Sequence, residues 1–178
     1  MDMYFVAIVC PPQVNERVLK WKLWMKEKYN CEVALRSPAH ITLIPPFWMK
    51  PDLEEKLMSS LASFSNTVAP FPVELNGFSN FLPRVIFLNV VPHPLLPAMR
   101  DKLFDCLLDG QLFPIQREER AFHPHVTIAT RDLYKKNFYE AWEFFKEKKF
   151  ETGWMINNLS LLRHDKKNWN VIATFQFQ

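Results

Sequence analysis

The chain has 178 residues, with 22 lysines and arginines against 19 aspartates and glutamates, and 48% of its residues are hydrophobic. This length predicts a single domain that spans residues 1–178, because domains usually contain about 100–200 residues. The net charge of +3 is too small for a protein that grips long duplex nucleic acid through many phosphates, whereas a small anionic ligand remains compatible with it. The sequence lacks the Gly-rich motifs of P-loop and Rossmann proteins, which excludes these two nucleotide-binding classes.

Cysteine usage and hydropathy indicate the compartment. No apolar run approaches the roughly 20 residues that span a bilayer, and no basic leader precedes the apolar start of the chain. Cys10, Cys31 and Cys106 are odd in number and widely spaced, which predicts buried free thiols and neither a disulfide framework nor a zinc site. We therefore expect a cytoplasmic monomer that needs no cofactor and has no membrane partner.

The first part of the chain predicts one strand and two helices. Residues 4–9 form an apolar run that ends at two prolines, which favours a strand. Residues 15–29 place apolar side chains three and four apart, as on one face of a helix. Lys20, Lys22, Lys26 and Lys28 are interpreted as the solvated side of that helix. Asp52 is expected to cap a second helix, whose apolar positions continue to Phe64.

The second part of the chain mixes hairpins with helices. Residues 72–76 and 85–91 predict strands, and the spacing of leucines from Leu96 to Leu107 predicts a third helix. Asp132 is expected to cap a fourth helix. Two runs on either side of a polar turn at 164–168 predict a C-terminal hairpin. Together these elements favour an α+β fold with antiparallel or mixed sheets.

One short pattern occurs twice, as Pro38-Ala-His40-Ile-Thr42 and His123-Pro-His125-Val-Thr127. Alternate side chains of a strand share a face, so each segment presents an imidazole and a hydroxyl on one side and apolar residues on the other. Two such strands close together would surround a small anion with two imidazoles and two hydroxyls. A single match of this kind is unremarkable, and the duplication is what favours a functional interpretation.

The pattern suits the chemistry of a phosphodiester. The attacking oxygen must lose a proton and the leaving oxygen must gain one, and an imidazole titrates near neutral pH, so His40 and His125 can supply the base and the acid. Thr42 and Thr127 would donate hydrogen bonds to the non-bridging phosphate oxygens, where charge develops. No metal ion is needed for this scheme.

These residues resemble the 2H phosphoesterase superfamily, and within it the 2′-5′ RNA ligase and 2′,3′-cyclic phosphodiesterase group, whose members carry two H-x-[ST]-aliphatic motifs. Residues 37–47 and 122–129 resemble its first and second motifs, and residues 77–88 resemble the strand-turn-strand between them. The resemblance implies two interlaced lobes related by a pseudo-two-fold axis, with sheets lining a central cleft and helices outside. It also implies opening of 2′,3′-cyclic phosphodiesters or cleavage of 2′-5′ linkages in a nucleotide or an RNA end, with 2′-5′ ligation as the reverse reaction.

Further side chains near the motifs are candidates for substrate contact. Aromatic rings can stack on a nucleobase and arginines can pair with phosphate; the candidates are Arg36, Phe47, Trp48, Arg84, Phe122 and Arg131. Phe47 and Trp48 are expected at the rim of the cleft. His93 and His164 are interpreted as inert loop and turn residues.

Two alternatives stay open at this point. A module that binds a nucleotide or an RNA end without turning it over would keep the same cleft. A metallohydrolase would need a zinc site, for which His123, His125 and His40 are the available ligands.

Overall fold

The computed structural model describes residues 1–178 as four α-helices and eight strands, with three short 3-10 helices. The elements in chain order are β1 Asp2–Val9, α1 Pro12–Tyr29, β2 His40–Met49, α2 Glu54–Ser65, β3 Phe71–Phe81, β4 Val85–Val90, α3 Leu95–Leu108, β5 His125–Ala129, α4 Lys135–Phe145, β6 Glu151–Ile156, β7 Asn158–His164 and β8 Trp169–Gln176. The predicted α+β class is confirmed, and only β6 has no counterpart in the sequence-based prediction. None of the helices combines the length and the apolar character that crossing a membrane requires.

The eight strands form one curled antiparallel sheet in the order β6-β3-β4-β5-β2-β1-β7-β8. This order divides into two halves of four strands that meet between β5 and β2. Each strand has a counterpart at the same distance from the junction in the other half, which is the arrangement that a pseudo-two-fold axis produces. The sheet is antiparallel throughout, so the mixed alternative does not apply.

The helices cover the outside of the sheet and interlace the two halves. Helix α1 follows β1 in the chain but packs over the β5 half, where Trp21 contacts Phe78 of β3 edge to face at 5.5 Å. It also packs against α4, with Trp24 stacked on Phe144 at 4.1 Å. Helix α2 contacts β7 and β8, which belong to the same half of the sheet as β2. Helix α3 follows β4 of the β5 half in the chain but packs against α2 and β2. The expected interlaced lobes with helices outside are therefore present.

The junction between the halves is a short pairing in which Ile41 of β2 lies opposite Val126 of β5. Ile41, Leu43 and Val126 are fully buried in one continuous hydrophobic core beneath the helices. Because side chains alternate along a strand, burial of these residues turns their neighbours to the opposite face of the sheet.

Both predicted helix caps are wrong. Asp52 lies in the 3-10 helix Pro51–Leu53, and α2 begins after it at Glu54 without a side-chain cap. Asp132 lies inside the turn that a hydrogen bond from the Leu133 amide to the Thr130 carbonyl closes, two residues before the N-cap residue Tyr134, so its carboxylate is too early in the chain to cap α4. It accepts hydrogen bonds from the Glu32 and Val33 amides instead, at 2.6 and 2.9 Å.

The thiols follow the prediction in part. All three cysteines are free, and Cys10 and Cys31 are buried as expected. Cys106 is exposed on α3, so its predicted burial is wrong. Its helix buries the face that carries Leu103 and Leu107, and position 106 lies off that face.

Candidate active site

The register at the junction brings the two histidine–threonine pairs together. Continuing the pairing of Ile41 with Val126 by one residue on each side sets His40 opposite Thr127 and Thr42 opposite His125. Residues directly opposite each other are about 4.5–5.5 Å apart, and diagonal neighbours about 7–8 Å. The four side chains therefore occupy the corners of one small patch on the face away from the core, with the two imidazoles on a diagonal.

Each imidazole is held in the same way by the backbone just before it. His40 Nδ1 lies 2.7 Å from the Pro38 carbonyl oxygen, and His125 Nδ1 lies 2.7 Å from the His123 carbonyl oxygen. A carbonyl can only accept, so Nδ1 carries the hydrogen and donates it. In the neutral ring this leaves the lone pair on Nε2, and Nε2 is then the atom that can take up or return a proton at the cleft.

Aromatic rings wall both imidazoles. Phe5 of β1 lies 4.9 Å from the His40 ring, while Phe81 and Phe87 lie 5.1 and 5.0 Å from the His125 ring. Phe5 and Phe87 are buried and stand apart from the main core, so they form part of the floor of the cleft. These walls shield part of each ring from water, and both histidines stay partly exposed toward the cleft.

Burial sets the protonation of both histidines. Loss of hydration lowers the pKa of His40 to about 4, helped by the charges of Lys22 and His125 and opposed by the hydrogen bond to Pro38. Burial also lowers the pKa of His125, opposed by the hydrogen bond to the His123 carbonyl and helped by the charge of the His123 imidazole. Both imidazoles are therefore neutral at pH 7 in the free protein, and an anion between them would raise both pKa values.

A cavity of about 270 Å³ opens beside His40 and is lined by Thr42 and Thr127 as well. Its walls also carry three cationic side chains, those of Lys22, Arg36 and Arg131, and no carboxylate. His125 is not among the lining residues and lies on the far diagonal of the patch. Such a lining suits an anion, because cations without a carboxylate nearby leave a positive field in the cavity.

The candidate substrate contacts lie in different places. Arg36 and Arg131 line the cavity described above. Phe47 is only 7% exposed and packs on Tyr4 in the core at 6.2 Å, so the expected position at the cleft rim is wrong for this residue. Trp48 is 55% exposed and lines a separate hollow formed by prolines. The difference arises because neighbouring residues of β2 point to opposite faces.

Two candidates lie away from the cationic cavity. Arg84 is exposed in the turn between β3 and β4 and is not among the residues that line the cavity beside His40. The guanidinium carbon of Arg100 lies over Phe122, 4.4 Å from the centre of the phenyl ring. Phe122 also lines a hollow of about 370 Å³ together with His93 and His123.

Sequence reasoning missed Lys22. This lysine is only 4% exposed, its Nζ donates a hydrogen bond to the Ser37 carbonyl at 3.1 Å, and burial lowers its pKa to about 8. Its interpretation as a solvated residue is wrong. The signal was its spacing, since Lys22 follows the buried Val18 by four residues and precedes the buried Met25 by three.

The turn between β7 and β8 also reaches the cavity. His164 and Trp169 both line it and contact each other at 4.8 Å, and Trp169 packs on Phe5 at 4.7 Å. His164 was interpreted from the sequence as an inert turn residue, but it is one of the residues that line the candidate site. No three His, Cys, Asp or Glu side chains converge as a metal site would need, and the His123 and His125 ring centres are 6.4 Å apart.

Comparison with known proteins decides the family. The model of the 2′-5′ RNA ligase superfamily matches residues 10–168. The chain belongs to this superfamily. It is therefore a phosphoesterase of the 2H type, and the resemblance seen in the two motifs is confirmed at the level of the family.

Individual members of the 2′-5′ RNA ligase superfamily agree with this assignment. A Bacillus cytotoxicus protein that is provisionally named a phosphoesterase is 28% identical over 154 residues, which cover 85% of each chain. The crystal structures of TT0787 from Thermus thermophilus and of Escherichia coli LigT complexed with 3′-AMP each superpose with a TM-score of 0.72. Each is 17% identical to this chain, and the match covers 99% of this chain and 98% of the other. At that identity the two structures establish a common fold.

The lowered pKa of His40 makes the stability of the fold sensitive to acid. The unfolded chain binds a proton at this histidine near pH 6.5, whereas the folded protein resists protonation down to about pH 4. We therefore expect the free energy of unfolding to fall as pH decreases from about 6.5 to 4, by on the order of 3 kcal/mol from His40. Urea unfolding at a series of pH values would measure this, and His40→Gln should flatten the profile in that window.

His93→Gln is the matched control, because His93 lies outside the cleft on the loop before α3. Its profile should follow that of the wild type. Parallel profiles for His40→Gln and the wild type would contradict the assignment of the acid sensitivity to His40.

Proposed function

We propose that this protein is a metal-independent phosphodiesterase that hydrolyses a 2′,3′-cyclic or 2′-5′ linked nucleotide or RNA end, with His40 and His125 as acid and base. The observation that carries the proposal is the pair of imidazoles on neighbouring strands, each fixed through Nδ1 at 2.7 Å and each beside a threonine. The cationic lining of the adjoining cavity supports an anionic substrate. Since both histidines come from one chain, a monomer of a single bilobal domain would be sufficient.

The proposed reaction moves two protons and exchanges one P–O bond for another. Nε2 of His40 takes a proton from the attacking water as its oxygen bonds to phosphorus, and Nε2 of His125 gives a proton to the leaving sugar oxygen as its bond to phosphorus breaks. His40 suits the base because its pKa is lowered further, to about 4. In the reverse direction the two imidazoles exchange roles, which is how a 2′-5′ linkage would be formed.

Hydroxyl and guanidinium donors would hold the phosphate. Thr42 and Thr127 stand between the two imidazoles and can donate to the non-bridging oxygens, whose charge increases as the fifth bond to phosphorus forms. Arg131 lines the same cavity and adds a charge-assisted hydrogen bond. These donors do not change protonation during the reaction, so they stabilise the transition state without adding a proton-transfer step.

Small nucleotides are the substrates that the comparisons favour. LigT structures include complexes with 3′-AMP, ATP and NADP⁺, and this chain shares the LigT fold. The exposed Trp48 and the partly buried Phe122 are available to contact a nucleobase, for which stacking on an aromatic ring contributes about 1–3 kcal/mol.

We expect His40→Ala and His125→Ala each to lower kcat/KM by at least about 100-fold on 2′,3′-cyclic nucleotides, the usual contribution of a positioned acid or base. A small phosphodiester with a 4-nitrophenolate leaving group needs no acid, so it should restore most of the lost activity to His125→Ala and little to His40→Ala. His93→Ala serves as the control. Equal rescue of both variants would contradict the assigned roles.

We expect Thr42→Val and Thr127→Val to weaken transition-state binding by about 1–3 kcal/mol each, because valine keeps the shape but leaves a phosphate oxygen without its donor. Steady-state kinetics and product inhibition would measure this. Thr67→Val is the matched control, since the Thr67 hydroxyl binds the Phe64 carbonyl at the end of α2. Wild-type kinetics in both cleft variants would mean that these hydroxyls are structural.

We expect a bell-shaped dependence of kcat/KM on pH that chelators do not change. Activity should fall at low pH as His40 takes up a proton, and at high pH as His125 loses the proton it must donate. Because burial lowers the pKa of His125 in the free protein, the basic limb of kcat/KM should lie below that of kcat, where the bound phosphate raises the same pKa.

The same measurements separate the alternatives. A zinc-bound hydroxide would give activity that rises with pH to a plateau, disappears with chelator and returns with zinc, and His123→Ala would then be as damaging as His125→Ala. A binding module would bind cyclic nucleotides without any turnover. Either result would overturn the two-histidine mechanism.

A further inference from the structure

The cavity beside His40 holds three cations that have no carboxylate partner in the folded protein. Lys22, Arg36 and Arg131 line it, and none of the six ion pairs of the chain includes any of them. The two arginines reach solvent, whereas Lys22 is buried. Solvent compensates the arginines, and the Glu32 carboxylate also interacts electrostatically with Arg36, whereas Lys22 has neither form of compensation.

Lys22 is the unusual member of this group. Its ammonium uses one of three donors, on the Ser37 carbonyl at 3.1 Å, and has no carboxylate nearby. A buried charge is costly unless it is paired. Burial lowers the pKa of Lys22 to about 8, so the ammonium is still mostly charged at neutral pH. An anion in the cavity would supply the counter-charge and two further acceptors.

The number of cations exceeds what the reacting group requires. A phosphodiester carries one negative charge, which leaves two of the three cations unmatched. A phosphomonoester carries a charge of about −1.5 to −2 at neutral pH and three acceptor oxygens. One phosphodiester together with one phosphomonoester would thus match Lys22, Arg36 and Arg131.

The shape of the cavity indicates where the second group would lie. Lys22, Arg36, Ser37 and Trp169 are shared with an adjoining hollow of about 290 Å³. Beyond these shared residues the hollow is lined by three amide side chains, those of Asn15, Asn168 and Asn170, and by the apolar Leu19, Leu35 and Pro38. Lys22 and Arg36 therefore lie where the two cavities meet, and His125 lines neither of them.

We propose that Lys22 and Arg36 form a second anion subsite, which binds a phosphomonoester of the same substrate while its phosphodiester lies between the histidines. The preferred substrate is then a nucleotide or RNA end that carries a terminal phosphate besides the cyclic or 2′-5′ linkage. This inference rests on the proposed function and deepens it.

The test compares substrates that differ in one phosphate. Adenosine 2′,3′-cyclic phosphate and the 2′-5′ adenosine dimer are each assayed with and without a 5′-phosphate. For the wild type we expect at least a tenfold higher kcat/KM with the 5′-phosphate in one pair or both. Lys22→Met should bring the ratio of the two kcat/KM values, with and without the 5′-phosphate, close to one.

Two controls test whether the effect is specific to position 22 and whether Lys22→Met stays folded. Lys20→Met removes the same charge from an exposed position of α1 and should keep the full preference. Methionine is apolar and of similar length, so Lys22→Met is expected to unfold at the same temperature as the wild type or higher. No preference in either substrate pair, or a preference that survives in Lys22→Met, would overturn the subsite.

Binding separates this inference from the proposed function. Adenosine 2′,5′-bisphosphate and adenosine 2′-phosphate are titrated calorimetrically into the wild type and into Lys22→Met. Tighter binding of the bisphosphate that Lys22→Met abolishes supports the subsite, even if no cyclic substrate is turned over and the proposed function fails. Equal affinities for the two ligands in the wild type would overturn the subsite, even if the hydrolysis is confirmed.

Discussion

The pairing of Ile41 with Val126 is the contact on which both the fold and the site depend. It is the one place where the two halves of the sheet are hydrogen-bonded to each other. Burial of these two residues fixes the face of the residues directly beside them on both strands, because a slip of one residue would exchange the core face with the cleft face. The hydrophobic core thereby specifies the position of His40 and His125 without any contact between the imidazoles.

The same geometry makes the cleft unfavourable for charge. Phe5 and Phe87 reduce the hydration of the imidazoles, and Lys22 is buried without a carboxylate partner. Each of these groups is less stable when charged in the folded protein than in water, which the lowered pKa values of His40 and Lys22 express. An anionic ligand reverses the sign of this effect, because it stabilises the protonated forms. The site therefore gains electrostatic stability from substrate that the free protein lacks.

The sequence predicted the elements whose hydrophobic periodicity matches the face that is buried in the fold. Alternation placed His40 and Thr42 on one face of β2, and the spacing of three and four located α1. Strand β6 was not predicted because it is an edge strand whose positions are mostly exposed or half-buried, so its sequence shows no strong alternation of apolar residues. Lys22 was misinterpreted because the charge of a lysine run was given more weight than its place between Val18 and Met25. Tertiary packing, which no local pattern contains, decided the case of β6, whereas the spacing of Lys22 on the buried face of α1 was readable in the sequence.

Asp132 links the two arginines of the cavity, although they are far apart in the chain. Arg131 precedes it directly, and its Oδ2 accepts hydrogen bonds from the Glu32 and Val33 amides at the start of the 3-10 helix Val33–Arg36. One carboxylate thus joins the loop after β5 to the segment that carries Arg36. Two guanidinium groups in one cavity repel each other, and a solvated loop would let them separate. By tying the two backbones, Asp132 holds both cations beside His40 before any anion arrives, so binding need not order the loops as well.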